Sequence, residues 1–181
     1  MKRNIIITLA ALLFLSAPLA GITQKQITWY SFEEAFQLNK KKPKKIFVDV
    51  YTDWCGWCKK MDATTFLDPV IVEYMMKNFY CVKLDAERKD TVVIDGVVFV
   101  NPNPASRRST HNLAIELLRG KLSYPSYVFL NEKSQFMTVV PGYQPAKEFE
   151  VILHFFGDDG FKEKSFDEFK TGFKGKVQPV Q

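Results

Sequence analysis

The sequence predicts an α/β domain in which buried strands alternate with helices. Two runs at positions 45–51 and 126–130 are rich in β-branched and aromatic residues, as is typical of strands buried on both faces. Aromatic residues make up 14% of the chain, more than an Ala-rich helical bundle needs, which also indicates a sheet. The length of 181 residues fits one domain, and 46% hydrophobic residues with 9 Gly and 9 Pro exclude a disordered or collagen-like chain.

The first half of the chain carries alternating strand and helix signals. Ser31 and Glu34 form a capping box that predicts a helix to about residue 39. A second helix begins near Cys55, and a third begins with Asp68 as cap and Pro69 as its first residue. The predicted strands of this half are 27–30, 45–51 and 79–84.

The second half opens with a hairpin signal. Asp95-Gly96 lies between the runs 92–94 and 97–100, a pairing that favours a tight β-turn. Ser109 or Thr110 is the expected cap of a helix that runs to about residue 119. The elements that follow are strands at 126–130 and 135–140 and a helix at 145–156.

The last part of the chain carries a second capping box, formed by Ser165 and Glu168. Phe166, Phe169 and Phe173 follow at helical spacing. We expect a short helix that packs on the domain, with binding of a partner as the alternative.

The first twenty residues follow the pattern of a secretory signal. Lys2 and Arg3 precede an apolar run at residues 5–15, and small residues come next. Because about eleven apolar residues fall short of the ~20 needed to cross a bilayer, we predict a signal peptide that is cleaved after Ala20. Cleavage after Ala17 and retention as a membrane anchor stay open. The expected location is the periplasm or another exported compartment.

The densest basic segment is the lysine-rich run at residues 40–45. Nucleic acid or anionic lipid is one possible partner for such a run. We interpret it instead as a solvated turn, because it joins a helix to a strand and has no interleaved aromatic residues. With a formal net charge of only +5, no nucleic-acid partner is expected.

The chemistry concentrates at Cys55 and Cys58, which are separated by two residues where a strand gives way to a helix. Helix N-terminal amides stabilise a thiolate, so Cys55 is the expected nucleophile and Cys58 the thiol that resolves the mixed disulfide. A structural disulfide and metal ligation are the alternatives. Three Cys and two His cannot supply a paired four-ligand zinc site, and Lys59 stands where haem attachment needs His.

Trp-Cys-Gly-Xaa-Cys-Lys at residues 54–59, after a hydrophobic strand, resembles the active-site motif of the thioredoxin superfamily. The resemblance covers about residues 27–156 and implies a thioredoxin fold, with a central mixed β-sheet flanked by helices. The hairpin and loop at 88–108 are then an insert, and 157–181 a C-terminal tail with a short helix. Within this superfamily, the sequence most resembles exported bacterial proteins related to the C-terminal domain of DsbD. No cofactor or metal is implied beyond the Cys55–Cys58 disulfide.

Two further positions match the family. It has a buried acid six residues before the first Cys, here Asp49, and a lysine on the next strand, here Lys83. The resemblance implies that burial raises the pKa of Asp49, which then accepts the proton of Cys58, usually through water. Lys83 would moderate that pKa. A solvent-exposed acid at the strand end is the alternative for Asp49.

Tyr124-Pro125-Ser126 matches the cis-proline segment that faces the disulfide in this family and pairs with an extended substrate. The expected substrate-binding residues, all around the disulfide, are Trp54, Gly56, Trp57, Tyr124, Pro125 and Ser126. Thioredoxin has proline in place of Trp57 and often a smaller residue in place of Tyr124, which leaves the redox potential open. Cys81 is interpreted as a buried small hydrophobe and His111 as a structural or capping residue.

The leading hypothesis is an exported thiol:disulfide oxidoreductase that reduces protein disulfides, because Asp49 and Lys83 match thioredoxin-like reductases. No glycine-rich nucleotide motif is present, so electrons are expected from another dithiol protein, with a membrane-embedded donor as one form. A disulfide oxidase or isomerase on the same fold is the enzymatic alternative. A non-catalytic peptide-binding or chaperone module is the alternative from another class.

Overall fold

A computed structural model describes residues 25–178 and has the predicted mixed α/β architecture of the thioredoxin fold. The strands are β1 (Trp29–Tyr30), β2 (Lys45–Tyr51), β3 (Phe79–Asp85), β4 (Val92–Ile94), β5 (Val97–Phe99), β6 (Ser126–Leu130) and β7 (Phe136–Pro141). The helices are α1 (Phe32–Lys41), α2 (Gly56–Ala63), α3 (Pro69–Asn78), α4 (Asn112–Leu117), α5 (Ala146–Gly157) and α6 (Phe166–Gly172). The predicted signal peptide lies outside the described residues. Within residues 25–178, every helix is too short or too polar to span a membrane.

Strand β2 lies at the middle of a five-stranded sheet with the order β1-β3-β2-β6-β7. It pairs in parallel with β3 and antiparallel with β6, which makes the sheet mixed. Successive side chains of a strand point to opposite faces, so Phe47 enters one core cluster while Ile46 and Val48 enter the other. Asp49, two residues after Phe47, therefore points to the same face as Phe47.

The helix caps follow the sequence signals except at α4. Ser31 and Ser165 form the predicted capping boxes, and Asp68 caps α3. The prediction of Ser109 or Thr110 as the cap of α4 was wrong. The interpretation of His111 as a structural or capping residue is confirmed instead, because its Nδ1 accepts a hydrogen bond from the amide of Leu113 at 3.2 Å.

Helix α4 is also shorter than predicted and ends at Leu117. Arg119 and Gly120 have φ angles of 52° and 74°, which lie in the left-handed region and stop a right-handed helix. The hairpin is confirmed: β4 and β5 pair antiparallel around Asp95 and Gly96, whose φ angles of 49° and 81° fit a type I′ turn.

The interpretation of residues 40–45 as a solvated turn was wrong for Lys45. Its side chain is buried, with Nζ 2.8 Å from Glu132 and 3.1 Å from Asp159. Lys45 is the first residue of the central strand, so its ammonium is covered by the neighbouring elements and needs acidic partners there.

The segment after α5 folds back on the domain. Phe155 of α5 makes edge and tilted ring contacts with Phe166 and Phe169, at centroid distances of 5.2 and 5.3 Å. Further along, Val177 is buried in the same core cluster as Phe47. The buried carboxylate of Glu150 accepts hydrogen bonds from the amides of Lys176 at 2.7 Å and Val177 at 3.0 Å.

We expect Glu150→Ala to destabilise the fold by about 2 kcal/mol, because two amides lose a charged acceptor. Amide hydrogen exchange at Lys176 and Val177 should accelerate, since the tail loses its attachment. Chemical denaturation and hydrogen exchange measure both effects. Glu148→Ala, an exposed position on the same helix, is the matched control and should leave both unchanged. An unaltered exchange rate at Val177 in Glu150→Ala would refute the role of Glu150.

Candidate active site

The two cysteines of the motif are joined in a disulfide at the start of α2. The chain turns sharply after β2, with the amide of Cys55 donating to the carbonyl of Thr52 at 3.1 Å. Cys55 is then the cap residue of α2, and Cys58 lies in the first turn. One helical turn brings the two Cα atoms to 5.3 Å, a distance at which a disulfide can close.

The helix start also polarises the first sulfur. The amide of Cys58 donates a hydrogen bond to Sγ of Cys55 at 3.0 Å. Together with the positive end of the helix dipole, this amide favours negative charge on Cys55 once the disulfide is reduced. The geometry therefore agrees with Cys55 as the nucleophile.

Asp49 is buried beneath this helix, so the alternative of an exposed strand-end acid is excluded. Its side chain is 1% exposed, and Nζ of Lys83 lies 2.7 Å from Oδ2. The parallel register of β2 and β3 sets Asp49 directly beside Lys83. Burial raises the pKa of Asp49 to about 6, although the Lys83 charge acts to lower it. Among the described residues, neither carboxylate oxygen accepts a well-directed hydrogen bond, so the contact with Lys83 is an ion pair.

A second acid at Lys83 was not predicted from the sequence. Asp62 of α2 also forms an ion pair with the ammonium, and its side chain is much more exposed than that of Asp49. The available signal was the spacing of four residues between Cys58 and Asp62, which places both on one face of the helix.

The predicted cis-proline is present. The Tyr124-Pro125 peptide bond is cis, and the carbonyl of Pro125 accepts a hydrogen bond from Gly142 at 2.8 Å. Ser126 is buried, and its hydroxyl donates to the carbonyl of Ser123 at 2.8 Å. The hydroxyl of Ser126 is therefore used within its own segment. A contact between Ser126 and a substrate stays a prediction.

Trp54 forms one side of an aromatic rim around the disulfide. It is 50% exposed, and its ring meets that of Tyr124 edge-on at 5.9 Å between centroids. Its indole Nε1 donates to Glu87 at 2.9 Å, and the guanidinium of Arg108 lies 4.9 Å from the ring centre. Glu87 and Arg108 were missed, because no local spacing links them to the motif.

Trp57 forms the other side of the rim. It is 57% exposed and lies 5.3 Å from the ring of Tyr143, between centroids. Nζ of Lys60 is 5.0 Å from Trp57 and 4.8 Å from Tyr143, within the range of cation–π contacts. Gly56, between the two cysteines, is exposed as well. Lys60 and Tyr143 were also missed by the sequence analysis.

The other Cys and His residues lie away from this chemistry. Cys81 on β3 is buried in the core, and burial raises its pKa to about 12. His111 is fully buried as the cap of α4, and its Nε2 lies 3.0 Å from the carbonyl of Asp90. Across residues 25–178, no group of three or more His, Cys, Asp or Glu side chains is arranged to hold a metal ion.

Comparison with known families and structures agrees with the fold. Residues 14–155 match the family model described as "Thioredox_DsbH: Protein of unknown function, DUF255". A solved structure described as "DsbH Oxidoreductase" superimposes with a TM-score of 0.52 at 17% identity, over 86% of this chain and 96% of that one. At this identity the likeness shows the fold alone.

Two curated relatives share shorter stretches of sequence. Spermatogenesis-associated protein 20 of Mus musculus is 36% identical over 67 residues, which are 36% of this chain and 8% of that protein. The thiol:disulfide interchange protein DsbD of Pectobacterium atrosepticum is 22% identical over 118 residues, which are 64% of this chain and 17% of that protein. The chain therefore covers less than a fifth of the length of either relative.

We expect Asp49→Asn to stabilise the oxidised protein at pH 7 by about 2 kcal/mol, because a buried charge is removed. The folded pKa of about 6 exceeds the ordinary value of 3.8. Wild-type stability therefore falls as the pH rises from about 4 through about 6, and this loss is nearly complete at about pH 7. The gain in Asp49→Asn should disappear below about pH 4.

Urea denaturation across this pH range measures the effect, with the exposed Asp53→Asn as control. A difference between Asp49→Asn and wild type that does not depend on pH would contradict the buried, proton-binding state of Asp49.

Proposed function

The chain belongs to the Thioredox_DsbH family, and from this premise we propose that it is an exported thiol:disulfide oxidoreductase that reduces protein disulfides. The observation that supports this best is the Cys55–Cys58 disulfide at the start of α2, a helix whose Asp62 shares Lys83 with the buried carboxylate of Asp49. A structural disulfide needs neither an amide aimed at one sulfur nor a buried acid linked to its helix through a lysine. The names of the DsbH and DsbD relatives point to the same chemistry.

The proposed reaction begins with the reduced protein. The Cys55 thiolate attacks one sulfur of the substrate disulfide, forms a mixed disulfide and releases the first substrate thiolate. Cys58 then loses its proton to Asp49 and attacks Sγ of Cys55, which releases the second substrate thiolate. The substrate gains two electrons and the protein ends as the Cys55–Cys58 disulfide.

The residues around the disulfide fit a role in substrate binding. Trp54, Trp57 and Tyr124 offer ring surfaces next to two buried sulfurs. In the thioredoxin superfamily, which the motif resembles, the segment at Pro125 pairs with an extended substrate. We propose a protein substrate on these grounds, since a small disulfide would need no such rim.

The electron source and the compartment are proposed from the sequence. A dithiol protein would reduce Cys55–Cys58 again, and a membrane-embedded donor would suit an exported protein. The N-terminal signal pattern supports export. Trp57 and Tyr124, where thioredoxin differs, leave the oxidase or isomerase alternative open, and the redox potential separates the two directions.

We expect wild type to reduce the disulfides of a model protein such as insulin when dithiothreitol is supplied. A variant with both Cys55→Ser and Cys58→Ser should be inactive, whereas Cys58→Ser alone should accumulate the mixed disulfide because the resolving thiol is missing. Turbidity and mass spectrometry follow the two outcomes. Cys81→Ala is the matched control and should keep its activity, since Cys81 lies in the core. Full biological function in the double variant would support the chaperone alternative instead.

The equilibrium potential of the Cys55–Cys58 pair against glutathione tests the direction. For a reductase we expect a value near that of thioredoxin, about −270 mV, because such a protein must donate electrons. A value near −120 mV, as in a strong oxidant, would overturn the reductive assignment while leaving the exchange chemistry intact.

A further inference from the structure

Lys83 is held between two carboxylates that differ in their exposure to solvent. Its Nζ lies 2.7 Å from Oδ2 of Asp49 on one side and contacts Oδ1 of Asp62 on the other. The side chain of Asp62 is 46% exposed, that of Lys83 21% and that of Asp49 1%. Lys83 therefore connects an acid at the surface with an acid that is buried.

Aromatic rings confine the ammonium at this position. Nζ lies 5.0 Å from the ring centre of Trp29, 5.2 Å from Tyr51 and 5.3 Å from Phe66. On the outer side, Asp62 and Lys83 line a surface cleft of about 330 Å³ together with Trp29 and Phe66. Because the rings limit where the ammonium can move, its charge is divided between the two acids.

This division matters because one ammonium cannot fully compensate two carboxylates. If Asp62 were neutral, Lys83 would pair with Asp49 alone and favour its ionised state more strongly. A carboxylate that is held ionised in this way is a poorer acceptor for the proton of Cys58.

We propose that Asp62 is a positioning residue of the exchange reaction, which shares Lys83 with Asp49 and so keeps Asp49 able to accept the proton of Cys58. This rests on the proposed function, in which Asp49 is the proton acceptor. The proton moves from Sγ of Cys58 to the Asp49 carboxylate, and Asp62 neither gains nor loses one. In agreement, the Asp62 charge acts to raise the pKa of Asp49, against the effect of Lys83.

The other titratable groups that face Asp49 do not take over this role. Tyr127 of β6 pairs with Asp49 in register, and burial raises its pKa, so it stays protonated in the relevant range. Tyr51, two residues along β2, also has its pKa raised, first by burial and then by Asp85. On α2, Cys58 has no free thiol to titrate while it is in the disulfide, so Asp62 is the acid of this helix that remains to be considered.

The test compares Asp62→Asn with wild type in the titration of the Asp49 carboxyl, followed by carbon NMR on the disulfide form. We expect the midpoint to move to lower pH by about half a unit or more, because Lys83 then pairs with Asp49 alone. Lys83→Met should move it the opposite way. Asp62→Glu, which keeps the charge, should resemble wild type, and Asp53→Asn controls for the loss of a nearby exposed acid.

The rate of protein-disulfide reduction, measured against pH in the same variants, gives the second readout. The part of the pH–rate profile that follows the ionisation of Asp49 should shift with the NMR midpoint in Asp62→Asn. In Asp62→Glu it should stay in place. An unshifted Asp49 midpoint in Asp62→Asn, or an equal shift in Asp62→Glu, would overturn the role of Asp62. Absence of reduction by wild type would instead refute the proposed function, and the NMR titration would still decide whether Asp62 tunes Asp49.

Discussion

The burial of β2 on both faces is the constraint on which the rest of the structure depends. With β3 on one side and β6 on the other, this strand has no open edge, and its side chains supply both core clusters. The chain can turn only after Tyr51, and it does so into α2 with Cys55 at the cap. The same strand carries Asp49 to the face beneath that helix. The sulfurs and the carboxylate thus lie on consecutive elements, which are joined by a short turn that the hydrogen bond from Cys55 to Thr52 closes.

A carboxylate at such a position carries a cost in stability. Burial raises the pKa of Asp49 to about 6, so at neutral pH the fold holds an ionised group that its surroundings disfavour. Lys83 offsets part of this cost, and Asp62 limits how much it offsets. A core optimised for stability alone would have an apolar residue at Asp49, like its strand neighbours Val48 and Val50. The retention of an acid there is explained by proton transfer under the proposed function.

Local signals predicted the elements and the centre of the site, while long-range contacts escaped prediction. The capping boxes at Ser31 and Ser165, the turn at Asp95-Gly96 and the cysteine spacing are all set within a few residues, and each is present in the structure. Ser109, Thr110 and His111 were all possible caps of α4 from the sequence. Tertiary contacts that bury the ring of His111 decide between them, and no local pattern contains those contacts.

Distance along the chain explains the missed site residues in the same way. Arg108 reaches Trp54 from the far end of the 88–108 segment, and Tyr143 reaches Trp57 across more than eighty residues of sequence. Asp62 was closer to being predictable, since its spacing from Cys58 is helical. The contact between Asp62 and Lys83 could not be predicted, because it depends on both the β2–β3 register and the packing of α2 on the sheet.

The rim and the buried sulfurs together indicate how exchange is controlled under the proposed function. Cys55 is 5% exposed and Cys58 2%, whereas the neighbouring Trp54 is 50% exposed and Trp57 57%. Each indole is held by contacts from elsewhere in the fold: Arg108 and Glu87 on one side, Lys60 and Tyr143 on the other. A substrate thus meets a fixed aromatic surface before its disulfide can reach Sγ of Cys55. Docking on that surface then selects which disulfides react, while Asp49, Lys83 and Asp62 below set how readily the mixed disulfide is resolved.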